Sequence, residues 1–177
     1  VMIRVNDINN WYVIFVMTGK EDTISRIINT NFKEECKAFV PKRLMRERRN
    51  GTWTNRLRTL FPGYVFLNGR ITSIQYSKLK NVPGVIRLFQ DDYRPIRINE
   101  EDIYLINKLM QNGDIIGTSH LLVNGHKVAV ISGPLLGLEG HINKVDKRKK
   151  RARVQLNFMG EPRTVDLCIS VLKSQEQ

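Results

Sequence analysis

With 177 residues, 41% of them hydrophobic, and a net charge of +12, the chain is long enough for one medium or two small domains and too apolar to stay unfolded. No apolar run reaches the roughly 18 to 20 residues of a membrane helix, and no amphipathic helix with a Lys/Arg face argues for a membrane surface. Lys and Arg outnumber Asp and Glu by 19 to 12 up to Thr118 and by 10 to 5 beyond it, so both halves suit a polyanionic partner such as a nucleic acid.

Val1–Asn10 have neither the apolar centre nor the small-residue cleavage site of a signal peptide, and are expected to form a frayed extension. Trp11 to Met17 is aromatic and β-branched, which predicts a buried strand. Thr18 and Glu21 have capping-box spacing. They predict a helix running to about Phe32, with Ile24, Ile27 and Ile28 on one face. Ala38-Phe39-Val40 returns to extended chain before Pro41. Arg43–Arg49 and Thr52–Thr59 flank Asn50-Gly51, a pair that tolerates positive φ at both turn positions and so predicts a hairpin. Few apolar residues lie in or beside its arms (Leu44, Met45, Trp53, Leu57, Leu60), and it is expected to project from its domain. Tyr64–Leu67 predicts a strand, and Thr72–Lys80 a short helix with Ile74 and Leu79 as its apolar positions. Pro83-Gly84 turns into a strand over Val85–Phe89. Asn99 and Asp102 cap a third helix whose stripe is Ile103, Ile106, Leu109 and Met110. This order predicts an α+β sandwich over residues 11–112.

The polar, glycine-containing stretch 113–120 is expected to be a linker. Beyond it, residues 121–174 show no helical period. Short strands at His126–Ile131, Gly140–Val145, Arg151–Phe158 and Thr164–Leu167 predict a small β-barrel. In Arg151–Phe158 the alternation is complete, with Ala152, Val154, Leu156 and Phe158 inward. Cys36 and Cys168 lack metal-ligand spacing and read as two reduced thiols. His120, His126 and His141 have no Cys or carboxylate at ligand spacing, and no P-loop, GxSxG or dinucleotide fingerprint occurs. With no converging nucleophile, base or metal set, the sequence points away from an enzyme, and no cofactor is expected.

Two local patterns carry a resemblance. Phe61-Pro62-Gly63-Tyr64-Val65-Phe66, then Val82-Pro83-Gly84-Val85, with Trp11-Tyr12 opening the domain, resemble the N-terminal domain of the NusG/Spt5 family. Val128-Ala129-Val130 through Gly133, Gly137 and Gly140 to Val145 is similar to the KOW motif that follows it, and Gly133 and Gly137 are expected to take positive φ. Asn157-Phe158-Met159-Gly160-Glu161-Pro162 sits where that family has a Phe-Gly hairpin tip. The likeness spans Trp11 to Lys173 in the family's domain order. It implies an N-terminal α/β sandwich, a KOW barrel, and a monomeric, cytoplasmic, nucleoid-associated bacterial factor that docks on the clamp region of RNA polymerase. The positions matching the family's docking patch are Phe15, Tyr64 and Phe66. Gln75-Tyr76-Ser77 falls where some members carry a His-Thr-Thr segment that touches the polymerase gate, and does not reproduce it.

Charge sets the chain apart from ordinary members of that family, whose KOW domains contact Rho or a small-subunit ribosomal protein. Lys147, Arg148, Lys149, Lys150, Arg151 and Arg153 crowd one hairpin, a density suited to phosphate contact with a hairpin in nascent RNA, and His141 and Arg163 are expected to extend that surface. In this the chain looks most like LoaP, a specialised antiterminator paralogue. Arg43, Arg46, Arg48, Arg49, Arg56 and Arg58, with Lys42 and only Glu47 opposing them, form a second cluster suited to upstream or non-template DNA. A housekeeping role at Rho or the ribosome, or a ribosome-associated KOW protein, is the competing reading.

Overall fold

The computed structural model describes residues 11–87, 97–110 and 113–172; the expected N-terminal extension and the end of the strand expected at Val85–Phe89 lie outside them. In chain order come β1 (Trp11–Val16), α1 (Glu21–Asn31), β2 (Cys36–Phe39), β3 (Lys42–Arg49), β4 (Thr52–Thr59), β5 (Tyr64–Gly69), α2 (Ser73–Lys80), β6 (Val85–Arg87) and α3 (Glu100–Leu109). Then follow β7 (Ile115–Ile116), β8 (Ser119–Asn124), β9 (Lys127–Ser132), a 3-10 turn at Glu139–His141, β10 (Ile142–Asp146), β11 (Arg151–Phe158) and β12 (Glu161–Leu172). Among the described residues, those up to Pro41 and Thr59–Tyr104 form one compact unit; Lys42–Arg58 and those from Leu105 onward form another.

The first unit is an α/β domain built on a sheet in the order β2-β5-β1-β6. Antiparallel β1 and β5 set Val13 opposite Phe66 and Phe15 opposite Tyr64. Because side chains alternate along a strand, Tyr12, Ile14 and Val16 join Val65 and Leu67 on one face, where Ile24 and Ile28 of α1 and Leu79 of α2 complete the core. Trp11, Val13, Phe39 and Phe66 belong to the other face and are also buried. Fully burying such a side chain stabilises by roughly 1.5 to 3 kcal/mol.

Helix starts follow different rules at each site. Thr18 does not cap α1, whose N-cap position is Lys20 with no side-chain cap. Glu21 instead turns inward: its carboxylate accepts from the Gly19 amide at 2.8 Å and the Gly63 amide at 2.7 Å. A buried carboxylate needs such donors, and Gly63, at φ 85°, presents one. α2 has a full capping box between Thr72 and Gln75, but its inward residues are Tyr76 and Leu79, while Ile74 is exposed. At about 100° per residue, Tyr76 and Leu79 share a face that Ile74 cannot join. Asn99 accepts from the Asp102 amide at 2.7 Å, and Ile103, Ile106, Leu109 and Met110 are all buried.

The second unit contains a curled sheet in the order β10-β11-β12-β8-β9. Along β11, Ala152, Val154, Leu156 and Phe158 are buried while Arg153, Gln155 and Asn157 are exposed. The stretch 113–120 holds β7 and the start of β8, and β12 runs far enough to pair in parallel with β8, Ile169 beside Ser119. Gly133 and Gly137 take positive φ. A Cβ on Gly133 would stand 2.6 Å from Ser119 Cα and 2.7 Å from the Thr118 carbonyl oxygen, so only glycine fits that approach. The β3–β4 hairpin turns through Asn50 at φ 49° and Gly51 at φ 81°. It does not simply project. β3 is the middle of a sheet β4-β3-β7, Lys42 pairs in parallel with Ile115, and Met45 is buried. Both cysteines are free and buried; burial, with Glu35 adding, pushes the Cys36 thiol up to about 11.

Candidate functional site

Of the three aromatics singled out on the first sheet, Phe15 and Tyr64 are half-buried and Phe66 is fully enclosed. Phe15 and Tyr64 meet edge to face at 5.1 Å. Phe66 stacks between Phe39 at 5.3 Å and Phe61 at 6.0 Å. It is part of the core and does not present itself at the surface. Phe15 leans on Gly63, where a Cβ would come within 3.2 Å of its ring, and Glu21 holds the Gly63 amide. Glu21, which sequence reasoning assigned to helix capping, thus fixes the turn on which Phe15 leans. In the segment matching the family's gate contact, Tyr76 is buried with Lys80 over its ring at 4.7 Å.

The tip between β10 and β11 is closed by the Asp146 side chain. Asp146 Oδ1 accepts from the Lys149 amide at 2.8 Å, a bond that holds its carboxyl below the usual range, and Lys150 takes φ 53°. Lys147, Arg148, Lys149 and Lys150 all point to solvent, without an ion-pair partner among the described residues. Arg151 and Arg153 differ. Both face Asp166 on β12, Arg153 Nε at 3.1 Å from Oδ1 and Arg151 Nη1 at 3.9 Å from Oδ2. Arg151 also donates to the Arg46 carbonyl at 3.3 Å. Lys144, not singled out from the sequence, is exposed and paired opposite Arg153. Only the strand register reveals it.

His141 and Arg163 do not join this cluster. His141 Nδ1 lies 3.2 Å from the Gln155 carbonyl. Arg163 pairs with Leu156 in the ladder, in the inward-facing series, with its guanidinium 3.4 Å from Glu161. Five residues of strand, about 17 Å, separate Leu156 from Arg151. At the other end of this hairpin Phe158 is fully buried, and the turn presents Met159 and Gly160, both at positive φ.

The β3–β4 ribbon holds most of its cations in local contacts. Arg43 is half-buried and donates to the Asp166 carbonyl at 2.6 Å; burial disfavours its charged form and the Asp166 charge opposes that. Arg58 grips Glu47 with two bonds of 2.8 and 2.6 Å, which holds the Glu47 carboxyl below its usual range. Arg46 lies over the Trp53 ring at 5.7 Å, and Arg48 Nε donates to the Gly51 carbonyl at 3.2 Å. Arg49 and Arg56 are exposed, with no ion-pair partner among the described residues.

Among the described residues no three His, Cys, Asp or Glu side chains gather as a metal would need, and no helix is long and apolar enough to cross a membrane. A family model described as "Transcription termination factor nusG" matches residues 9–107. Proteins named "Transcription termination/antitermination protein NusG" are similar over most of their length. That of Rickettsia prowazekii is 24% identical, covering 97% of this chain and 93% of the relative. That of Buchnera aphidicola from Acyrthosiphon pisum is 28% identical, covering 89% and 91%, and that of Escherichia coli 27%, covering 90% and 93%. A solved structure described as "Domain interaction in Thermotoga maritima NusG" shares the fold, with a TM-score of 0.57 at 20% identity over 90% of this chain and 93% of that one.

Proposed function

Since the chain belongs to the NusG family of transcription factors, we propose that it travels with RNA polymerase and favours readthrough of terminators, with no catalytic step of its own. Phe15 and Tyr64 form the docking pair for the clamp region of the polymerase, while Phe66 belongs to the core with Phe39 and Phe61. The tip Lys147–Lys150, extended by Lys144, takes the phosphates of a hairpin in nascent RNA. Arg49 and Arg56 on one face of the ribbon, and Arg46 and Arg48 on the other, meet upstream or non-template DNA. The factor acts in the cytoplasm as a monomer whose two domains, residues 11–112 and 121–174, meet different partners.

One observation carries this reading: four consecutive exposed cations at the barrel tip without an ion-pair partner among the described residues. Such a surface is well suited to phosphate and is what the specialised antiterminators of the LoaP kind would require. The relatives matched bear the general NusG name, so the specialised reading rests on the tip alone. Single-round transcription across an intrinsic terminator, with and without the protein, tests it. Readthrough should rise, and should fall back when Lys147, Arg148, Lys149 and Lys150 are all replaced by Ala. More termination, or an effect that needs Rho, would instead mark a housekeeping factor.

Docking has its own test. Replacing a central aromatic anchor loses on the order of 2 kcal/mol, roughly thirtyfold in affinity. Tyr64→Ala should therefore weaken polymerase binding by about that factor while the circular dichroism spectrum stays unchanged. Unchanged affinity in the folded variant would remove Tyr64 from the docking pair.

A further inference from the structure

Alternation divides the ribbon into two unlike faces. On β3, Lys42, Leu44, Arg46 and Arg48 fall on one side and Arg43, Met45, Glu47 and Arg49 on the other. The Arg46–Trp53 contact places Trp53, and with it Asn55 and Leu57, on the first face. The Glu47–Arg58 bridge places Thr54, Arg56 and Arg58 on the second. The second face is the one that buries Met45 and ties Arg43 to Asp166. Glu47, the ribbon's one carboxylate, also lies there. The first face has cations and no acid. On it Trp53 is 39% exposed and Leu57 48%.

An indole left in water beside uncompensated guanidiniums is unusual on a surface with no partner. A strand edge of this kind has the two elements that hold unpaired nucleotides: a ring on which a base can lie flat, and cations spaced along the backbone path. Duplex DNA hides its base faces and would leave Trp53 unused. We propose that the Trp53 face of the ribbon is a stacking platform for an unpaired nucleic-acid strand, with Trp53 taking one base and Arg46 and Arg48 the flanking phosphates. This rests on the reading that the ribbon meets nucleic acid, and specifies what form that nucleic acid takes. Arg46 sits over one side of the ring, and the base is assigned to the other.

The two tryptophans make the test local. Trp11 is 3% exposed and Trp53 is not, so quenching of indole emission by an added oligonucleotide reports on Trp53. The protein is the full chain with Lys147, Arg148, Lys149 and Lys150 replaced by Ala, which silences the barrel tip. Short oligo(dT) and oligo(U) should both quench, since stacking is indifferent to the sugar; the tighter of the two names the source strand. A duplex of equal length should bind without quenching. Trp53→Leu should lower strand affinity, read by anisotropy of a labelled oligonucleotide, about tenfold, and Trp53→Phe should restore most of it. Arg48→Ala should lower the log–log salt slope by about one unit and leave the quench at saturation intact. If Trp53→Leu binds the strand as the parent does, or strand and duplex quench alike, the platform is overturned and the ribbon reads backbone only. If replacing Arg48, Arg49 and Arg56 with Ala changes affinity for neither strand nor duplex, the nucleic-acid reading of the ribbon falls as well.

Discussion

The tip between β10 and β11 and the ribbon of β3 and β4 are both hairpins dominated by Lys and Arg, yet they hold their charge in different ways. At the tip the one nearby acid, Asp146, is turned toward the Lys149 amide, so its carboxylate shapes the turn and makes no close ion pair with the tip cations among the described residues. In the ribbon, Glu47 bonds a guanidinium directly, and Arg43 reaches a carbonyl of β12. Equal charge density therefore gives unequal availability. What separates the two is where each carboxylate points, and that follows from the turn at one site and from strand pairing at the other. Arg151 and Arg153 stand between the cases: contiguous with the tip in sequence, they are bound to Asp166 as the ribbon's cations are to their partners.

The strongest way to break this contrast is to remove the tip. With Lys147, Arg148, Lys149 and Lys150 all replaced by Ala, the log–log salt slope for a structured RNA should fall by about three units, and affinity at about 0.1 M salt by roughly a thousandfold. A salt titration by filter binding reads both. A loss as large from Arg151→Ala alone would show that the paired arginines dominate. Next comes Asp166→Asn, which should act in the opposite direction. Freed from their shared carboxylate, Arg151 and Arg153 should add about one unit to the slope and raise affinity about tenfold, while stability changes by about 1 kcal/mol in a thermal melt, as surface pairs do. Unchanged affinity would mean that the pairing does not compete with RNA. The smallest effect belongs to Arg163→Ala. Since Arg163 sits in the inward series beside Glu161, RNA affinity should stay within a factor of about two and the salt slope should not move; a drop of a full unit would put Arg163 back in the site.

Much of the architecture is legible where its cause is local. Asn50-Gly51 announces its hairpin because positive φ is a property of the residues at the turn. Asn99 caps α3 for the same reason, and β11 shows its two faces because each residue's burial follows its parity. Reading fails where the cause lies far along the chain. Glu21 carries the spacing of a capping residue, but its partner is an amide 42 residues away. Ser119 reads as linker because the strand that makes it a strand is Ile169 onward. The shared face of Tyr64 and Phe66 was legible from parity, while the enclosure of Phe66 depends on Phe39 and Phe61. For the same reason the cations at the tip could be read as a group, but not the division between those that are held and those that are not.

The parallel pairing of β8 with β12 has a consequence in time. β8 meets a partner fifty residues later in the chain, and β3 meets β7 after an even longer interval. Contacts this distant in sequence require chain entropy to be surrendered before any ladder bond is made. During synthesis, β9, β10 and β11 emerge and can form hairpins while β8 still shows a bare edge, and the sheet gains its last neighbour only when Leu172 has left the ribosome. For that interval β8 is an open template for pairing with other chains. A nascent chain stalled short of Ile169 should therefore be the species most prone to aggregate, and Ile169–Leu172 act as the clasp that ends the exposure.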